Sequence, residues 1–286
     1  MNWMDEGALY SQIAEMLRED LGRGDITSQA IIERNTRARG RFVANEKMVV
    51  AGLEAAEEVF LTLDTQQQLE AFVSDGEEIE AGKVIARTSG FADILLAGER
   101  VALTLMQRLS AVATTTSQFV RAVAGTGAQI VATRETTPGM RMLERYAVLL
   151  GGGRNNRFGL DDGVLITANH LAVAGGLATA LRNAKGKLGH AQKLAVQVSN
   201  EMDLRRAIEH GADILLFESL SAEEVDKLIE VGRSLSPSLG FECSGLRRSG
   251  CECNQYQFAA EFPRGDGHQF CSTAFLRVRR LARADY

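Results

Sequence analysis

The first 242 residues of this 286-residue chain contain no cysteine; Cys243, Cys251, Cys253 and Cys271 all lie beyond them. So skewed a distribution, in a chain long enough to bury a sizeable core, excludes a disulfide-held scaffold. A zinc site built from Cys251, Cys253, His268 and Cys271 is disfavoured too. Cys-x-Cys followed by His-x-x-Cys lacks the spacing of structural zinc modules, so no metal-binding residues are expected. Long hydrophobic runs are also missing. Nothing approaches the roughly 18 apolar residues of a membrane span, and the polar, acidic start does not read as a signal peptide. The expectation is a cytoplasmic protein with no membrane partner. A basic excess is absent as well: the formal net charge is −5, so no global field recruits nucleic acid.

What is present is a globular pattern, 45% hydrophobic, with material for two domains. Residues 7–20 carry Leu9, Ile13, Met16 and Leu17 at helical spacing, and "GRGDITS" breaks that helix. Two strand-like segments follow, "ARGRFVANE" and "KMVVAGLE", then a helix from Ala55 to Leu63. The stretch "QQLEAFVSDGEEIEAGKVIARTSG" alternates apolar and polar residues and turns at Asp75-Gly76 and Ala81-Gly82, which predicts small β structure. This resembles the hammerhead of biotinyl and lipoyl carriers. No suitably flanked hairpin lysine accompanies it, so a carrier or scaffold role ranks last. From Leu95 to Val123 the apolar periodicity predicts one or two buried helices. Arg100 follows Gly98-Glu99, read as a turn at the start of this stretch.

Beyond Gln129 the organisation changes. Strand candidates begin near residues 129, 162, 193 and 213, with helix candidates at Met140–Leu150, Ala172–Ala184, Met202–His210 and Ala222–Ser234. This alternation indicates parallel βαβ units. Arg134, Asn169, Asn200 and Glu218–Ser219 then fall at strand ends, the rim where barrels of this kind carry their active sites. Just before the second strand lies "GGGRNNRFGLDDG" (Gly151–Gly163), whose apolar side chains are only Phe158 and Leu160. It is either a surface loop or a place where backbone and arginine approach an anion. Glycine removes the Cβ barrier and arginine binds carboxylate or phosphate through two parallel hydrogen bonds.

Four blocks resemble one family: "EDLGRGDITS" (Glu19–Ser28), "ERVALTLMQRLSAVAT" (Glu99–Thr114), "TRETTPGMRMLERYAV" (Thr133–Val148) and "GGGRNNRFGLDDGVLITANH" (Gly151–His170). They are similar to quinolinate phosphoribosyltransferase, the carboxylating nicotinate-nucleotide pyrophosphorylase. The resemblance implies an α/β fold: a hammerhead-like N-terminal α/β sandwich over residues 1–110, then an open α/β barrel of parallel strands over 111–286. The chain's last residues are also open to recruitment by the N-terminal domain. It further implies a homodimer with shared active sites, and magnesium accompanying the diphosphate substrate. The family joins quinolinate to phosphoribosyl pyrophosphate and loses carbon dioxide and pyrophosphate, giving nicotinate mononucleotide. Arg134 and Arg157 match positions that hold quinolinate, and Arg100 matches one that reaches the neighbouring subunit's site. Glu218 stands at the position of a catalytic aspartate, and Ser244 and Gly245 at the start of a phosphate loop.

Other positions depart from the family. Glu135, Asn156 and Thr167 replace a lysine, a histidine and a lysine, and Gln197 replaces an acid. Each lost charge-assisted hydrogen bond costs roughly 1.5–3 kcal/mol, so the transfer is expected to be weak or absent. Binding of a different small anionic metabolite is the alternative. "ANH" (Ala168–His170) leans towards a related branch encoded with molybdate transporters, while the glycine block leans towards the main family. His170 reads as structural before it reads as a base. "FECSG" (Phe241–Gly245) fits the fifth barrel strand. The tail 246–286 shows no helical or strand period and carries seven arginines and no lysine. It reads as the product of a frame shift that altered the barrel after residue 245, with a lineage-specific tail as the alternative.

Overall fold

The computed structural model describes residues 6–244, 259–261 and 283–285. Its contacts divide the chain into two compact units, residues 1–118 with 137–152 and 274–286, and residues 119–136 with 153–273.

The first unit opens with helix α1 (Glu6–Leu21) and a short helix, α2 (Ile26–Ile31). Strand β1 (Arg37–Val43), strand β2 (Met48–Val49) and helix α3 (Leu53–Leu63) follow. Next come β3 (Gln68–Ala71), β4 (Glu78–Ile79), β5 (Val84–Phe91) and the 31-residue helix α4 (Ala92–Ala122). The sequence read "GRGDITS" only as a break. Asp25 instead starts α2, its Oδ1 accepting from the N–H groups of Thr27 and Ser28 at 3.0 and 3.1 Å, an N-cap that satisfies otherwise orphaned donors. The expected strand "KMVVAGLE" shrinks to two residues because α3 begins at Leu53. The cap of α3 comes from far away in sequence: Asp75 accepts from the N–H groups of Gly52 and Leu53, both at 3.1 Å, and from the Tyr146 hydroxyl at 3.0 Å. Burial pushes this carboxyl above the usual carboxylate range. Gly98 and Glu99 are not a turn but lie inside α4, which places Arg100 on the helix rather than at its start.

After strand β6 (Gln129–Val131) the chain supplies helix α5 (Arg141–Leu150), whose Leu143 and Ala147 join the core of the first unit. That core also takes Ile13 of α1, Phe60 of α3, and Met106 and Leu109 of α4. The sequence division at residue 110 assigned α5 to the barrel; the contact division does not. Its anchor is Glu144, buried, which accepts from Arg108 Nε and Nη2 at 2.9 and 2.7 Å and from the Thr137 N–H at 3.1 Å. Such long-range pairing leaves no trace in local periodicity.

The second unit continues with β7 (Val164–Ile166), α6 (Ala168–Ala174), α7 (Leu177–Lys185), β8 (Leu194–Gln197) and α8 (Glu201–Glu209). It ends with β9 (Ile214–Glu218), α9 (Ala222–Leu235), β10 (Gly240–Ser244) and β11 (Ala259–Glu261). One helix was expected over Ala172–Ala184. Two occur, because Gly175 and Gly176 adopt φ of 78° and 98°, a left-handed break that a side chain would resist.

The sheet of this unit runs β6-β11-β10-β9-β8-β7. The strands β7 to β10 pair in parallel, an open α/β arrangement, and β11 pairs antiparallel with both β10 and β6. β11 falls in the tail, where no strand period was read; so does β12 (Arg283–Asp285), which pairs antiparallel with β1 in the first unit. Both are three-residue strands, too short to show alternation.

Strand pleating sorts the second unit's side chains into two sets. Ile166, Leu194, Val196, Leu215, Phe217, Phe241 and Cys243 share one core with Leu181 of α7, Leu204 of α8 and Val225 of α9. Phe217 and Phe241 stack with ring centroids 6.0 Å apart. Alternation therefore sends Gln197, Leu216, Glu218, Glu242 and Ser244 to the opposite face, away from the helices. That face is polar at its carboxyl end.

Candidate active site

The carboxyl ends of the strands gather most of the expected residues. The glycine-rich stretch is tied to the sheet rather than loose: the Arg154 N–H donates to Ile130 O at 2.8 Å and the Ala132 N–H donates to Arg154 O at 2.7 Å, forming a parallel bridge beside β6. The turn beyond is closed by Asp162, whose carboxylate accepts from the Phe158 and Gly159 N–H groups. Asn156 Oδ1 accepts from the Arg157 N–H at 2.6 Å, and Arg157 Nη1 donates to Gly163 O at 3.0 Å. The loop thus fixes the guanidinium of Arg157.

Arg134 and Glu135 are exposed in the segment after β6, where the Glu135 N–H donates to Thr133 Oγ1 at 3.2 Å. Burial pulls the Arg157 pKa down, and the positive charge of Arg134 pulls it down further; Asp162 and Glu242 oppose this. Two arginines from separate segments are therefore close enough to repel each other.

Glu242 escaped the sequence reading. It is a buried carboxylate on β10, approached by Asn156 Nδ2 at 3.5 Å. A lone acid within "GFECS", an otherwise uncharged strand, was the signal available.

On the neighbouring strands Gln197 Nε2 donates to Glu218 Oε2 at 2.8 Å, and Gln197 Oε1 accepts from the Ala168 N–H at 3.0 Å. Thr167 caps α6 together with His170, whose Nδ1 accepts from the Thr167 N–H at 3.2 Å. His170 is thereby engaged in structure, as its sequence position suggested. Immediately after Glu218, Ser219 takes a left-handed φ of 58°. Such strain in a non-glycine residue collects at functional sites. Its N–H donates to Ser244 O at 3.2 Å, joining β9 to the end of β10, where Ser244 is buried.

The second unit thus assembles Arg134 with Arg157, Asn156 with Glu242, and Gln197 with Glu218. Arg100 is not among them: it is exposed on α4 in the first unit. Gly245 and the tail cysteines Cys251, Cys253 and Cys271 lie outside the described residues. Among the described residues no three His, Cys, Asp or Glu side chains converge as metal ligands, and no helix is long and apolar enough to cross a membrane.

Comparison with known proteins shows the family. Residues 25–110 match the family described as quinolinate phosphoribosyl transferase, N-terminal domain, and residues 112–247 match its C-terminal domain. A Bacillus subtilis protein named "Probable nicotinate-nucleotide pyrophosphorylase (carboxylating)" is 42% identical over 207 residues, 72% of this chain and 71% of its own. A Synechocystis protein of the same name is 36% identical over 233 residues, 82% of this chain and 79% of its own. Among solved structures, the nicotinate-nucleotide pyrophosphorylase from Francisella tularensis superimposes with a TM-score of 0.78 at 33% identity, covering 85% of each chain.

Proposed function

Because the chain belongs to the quinolinate phosphoribosyl transferase family, we propose that it transfers the phosphoribosyl group of phosphoribosyl pyrophosphate to quinolinate. Carbon dioxide and pyrophosphate leave, and nicotinate mononucleotide is the product. The observation that carries this reading is Arg157, whose guanidinium the loop fixes through Gly163 O beside the carboxyl ends of the strands, with the positive charge of Arg134 acting on it from a separate segment. A dicarboxylate relieves that repulsion and offers each arginine a planar partner.

The chemistry needs no nucleophilic side chain. As the ribosyl–diphosphate bond loosens, positive charge grows on the ribosyl group and negative charge on the diphosphate. Glu218 is the carboxylate assigned to meet the former. Magnesium enters with the diphosphate as part of the substrate; such an ion takes one or two carboxylates and completes its shell with phosphate oxygens and water. Ser244, with Gly245, is assigned to the 5-phosphate. Arg100 is assigned to the site of a second copy in a homodimer, and sedimentation at micromolar concentration tests this: a monomer overturns the shared site.

Calorimetric titration with quinolinate, nicotinate and phosphoribosyl pyrophosphate tests the substrate assignment. Quinolinate, with two carboxylates, should bind more tightly than nicotinate, with one; equal affinity would overturn the two-arginine clamp. Exposed Glu135 sets a negative charge in the same segment as Arg134 and favours a slow enzyme. It also supports a second reading, a protein that binds an anionic metabolite without turnover.

A further inference from the structure

Three residues that the family resemblance marks as departures stand side by side in the sheet. Parallel register places Ile166 beside Val196 and Gln197 beside Leu216, so Thr167, Gln197 and Glu218 leave three adjacent strands at the same end. Gln197 connects them. Its amide nitrogen donates to Glu218 Oε2 at 2.8 Å, while its amide oxygen accepts from the Ala168 N–H, the first residue of α6, at 3.0 Å.

Only an amide can do both at once. A glutamate at 197 would still accept from Ala168, but it would set an oxygen against Glu218 at hydrogen-bond distance, and two carboxylates so close cannot both ionise. An alanine or leucine would free both partners. The side chain is therefore matched to its two neighbours, one acceptor and one donor.

We propose that Gln197 is a positioning residue: it holds the Glu218 carboxylate against β8 and ties it to the start of α6, so that Glu218 is oriented before substrate binds. This rests on the reading above that Glu218 serves the transferred ribosyl group. Thr167 belongs to the same unit. Against the pattern that the resemblance implies, Thr167 lacks a positive charge and Gln197 a negative one, so Thr167, Gln197 and Glu218 together keep the one negative charge of Glu218. The two changes are one compensated exchange, not two independent losses, and neighbours of this kind do not add. Of the ionisable groups on the adjoining elements, Glu242 lies on the same face of β10, two residues before the Ser244 that pairs with Glu218, while on the other side Gln197 stands between Glu218 and α6, whose His170 is bonded to Thr167.

Five proteins test this: the full chain, Gln197→Glu, Gln197→Leu, Thr167→Lys, and the double variant Gln197→Glu with Thr167→Lys. Nicotinate mononucleotide formation is measured from pH 5 to pH 9, and melting temperature over the same range. In Gln197→Glu the acid limb of kcat/KM should move up by about one pH unit, with on the order of tenfold less activity near pH 6. Adding Thr167→Lys should move the limb back, whereas Thr167→Lys alone should lower activity by setting an uncompensated cation beside Glu218. The melting curves read the clasp without turnover. Gln197→Glu should melt close to the parent at pH 5 and below it at pH 8, since a carboxylate pair that prefers to share a proton loses stability as pH rises through its pKa. Gln197→Leu should melt lower by the same margin at every pH. An unshifted acid limb, or a pH-independent melting deficit in Gln197→Glu, overturns the proposal. Absence of turnover in the parent overturns the functional reading instead, and leaves the clasp to be decided by the melting curves.

Discussion

Replacing Arg157 with alanine removes a guanidinium whose orientation is already set. Its Nη1 donates to Gly163 O at 3.0 Å and its backbone N–H donates to Asn156 Oδ1 at 2.6 Å, so little ordering remains for the ligand to impose. A charge-assisted hydrogen bond is worth roughly 1.5–3 kcal/mol, so quinolinate should bind about 10- to 150-fold more weakly to Arg157→Ala. Arg157→Lys keeps the charge but not the planar fork, and should fall between the two. Folding should change little. The lost bond to Gly163 is offset by removing a charge that is half-buried and repelled by Arg134. Calorimetry gives the affinities and thermal unfolding gives the control. Quinolinate affinity unchanged in both variants, with unchanged melting, would show that the glycine-rich loop serves the fold and not a ligand.

Other outcomes follow from burial. Gln67 is 3% exposed, and among the described residues neither end of its amide has a partner; a Cβ on Gly90 would collide with its oxygen. Gln67→Met keeps the shape, removes a buried polar group worth about 1–3 kcal/mol, and should raise the melting temperature; a fall would mean that the amide is satisfied in solution. Cys243, on the helix-covered face of β10, has its thiol pushed up to about 12 by burial, reinforced by Asp226 and Glu242. It should stay unlabelled by iodoacetamide in the native protein at pH 8, read by peptide mass mapping, and react once the chain is denatured.

The sequence carried the fold wherever one element's own period was enough. Helices α1, α8 and α9 and strands β8 to β10 lie close to where spacing put them, and Ser221-Ala-Glu-Glu announces α9 by its capping box. What it concealed depends on distant partners. Asp75 caps α3 across 22 residues, Glu144 pulls α5 into the first unit, and the break of α6 from α7 needed the Gly-Gly pair to be weighed above the apolar period around it. The site divides the same way. Arg134, Arg157 and Glu218 were visible as strand-end or glycine-loop residues. Lateral register alone brings Gln197 against Glu218, and pleating alone turns Glu242 to the face that Asn156 reaches. Residue types can be read one at a time. Their pairing requires the sheet.

The central claim is that quinolinate is the acceptor in a phosphoribosyl transfer at this rim. A steady-state assay with quinolinate, phosphoribosyl pyrophosphate and magnesium, following nicotinate mononucleotide by chromatography, tests it directly. The account predicts product that depends on quinolinate, formed below about 1 s⁻¹, the low end of ordinary enzymes, with kcat/KM for quinolinate about 10- to 150-fold lower in Arg157→Ala. No product at saturating concentrations of both substrates, or an undiminished kcat/KM for quinolinate in Arg157→Ala, would contradict it.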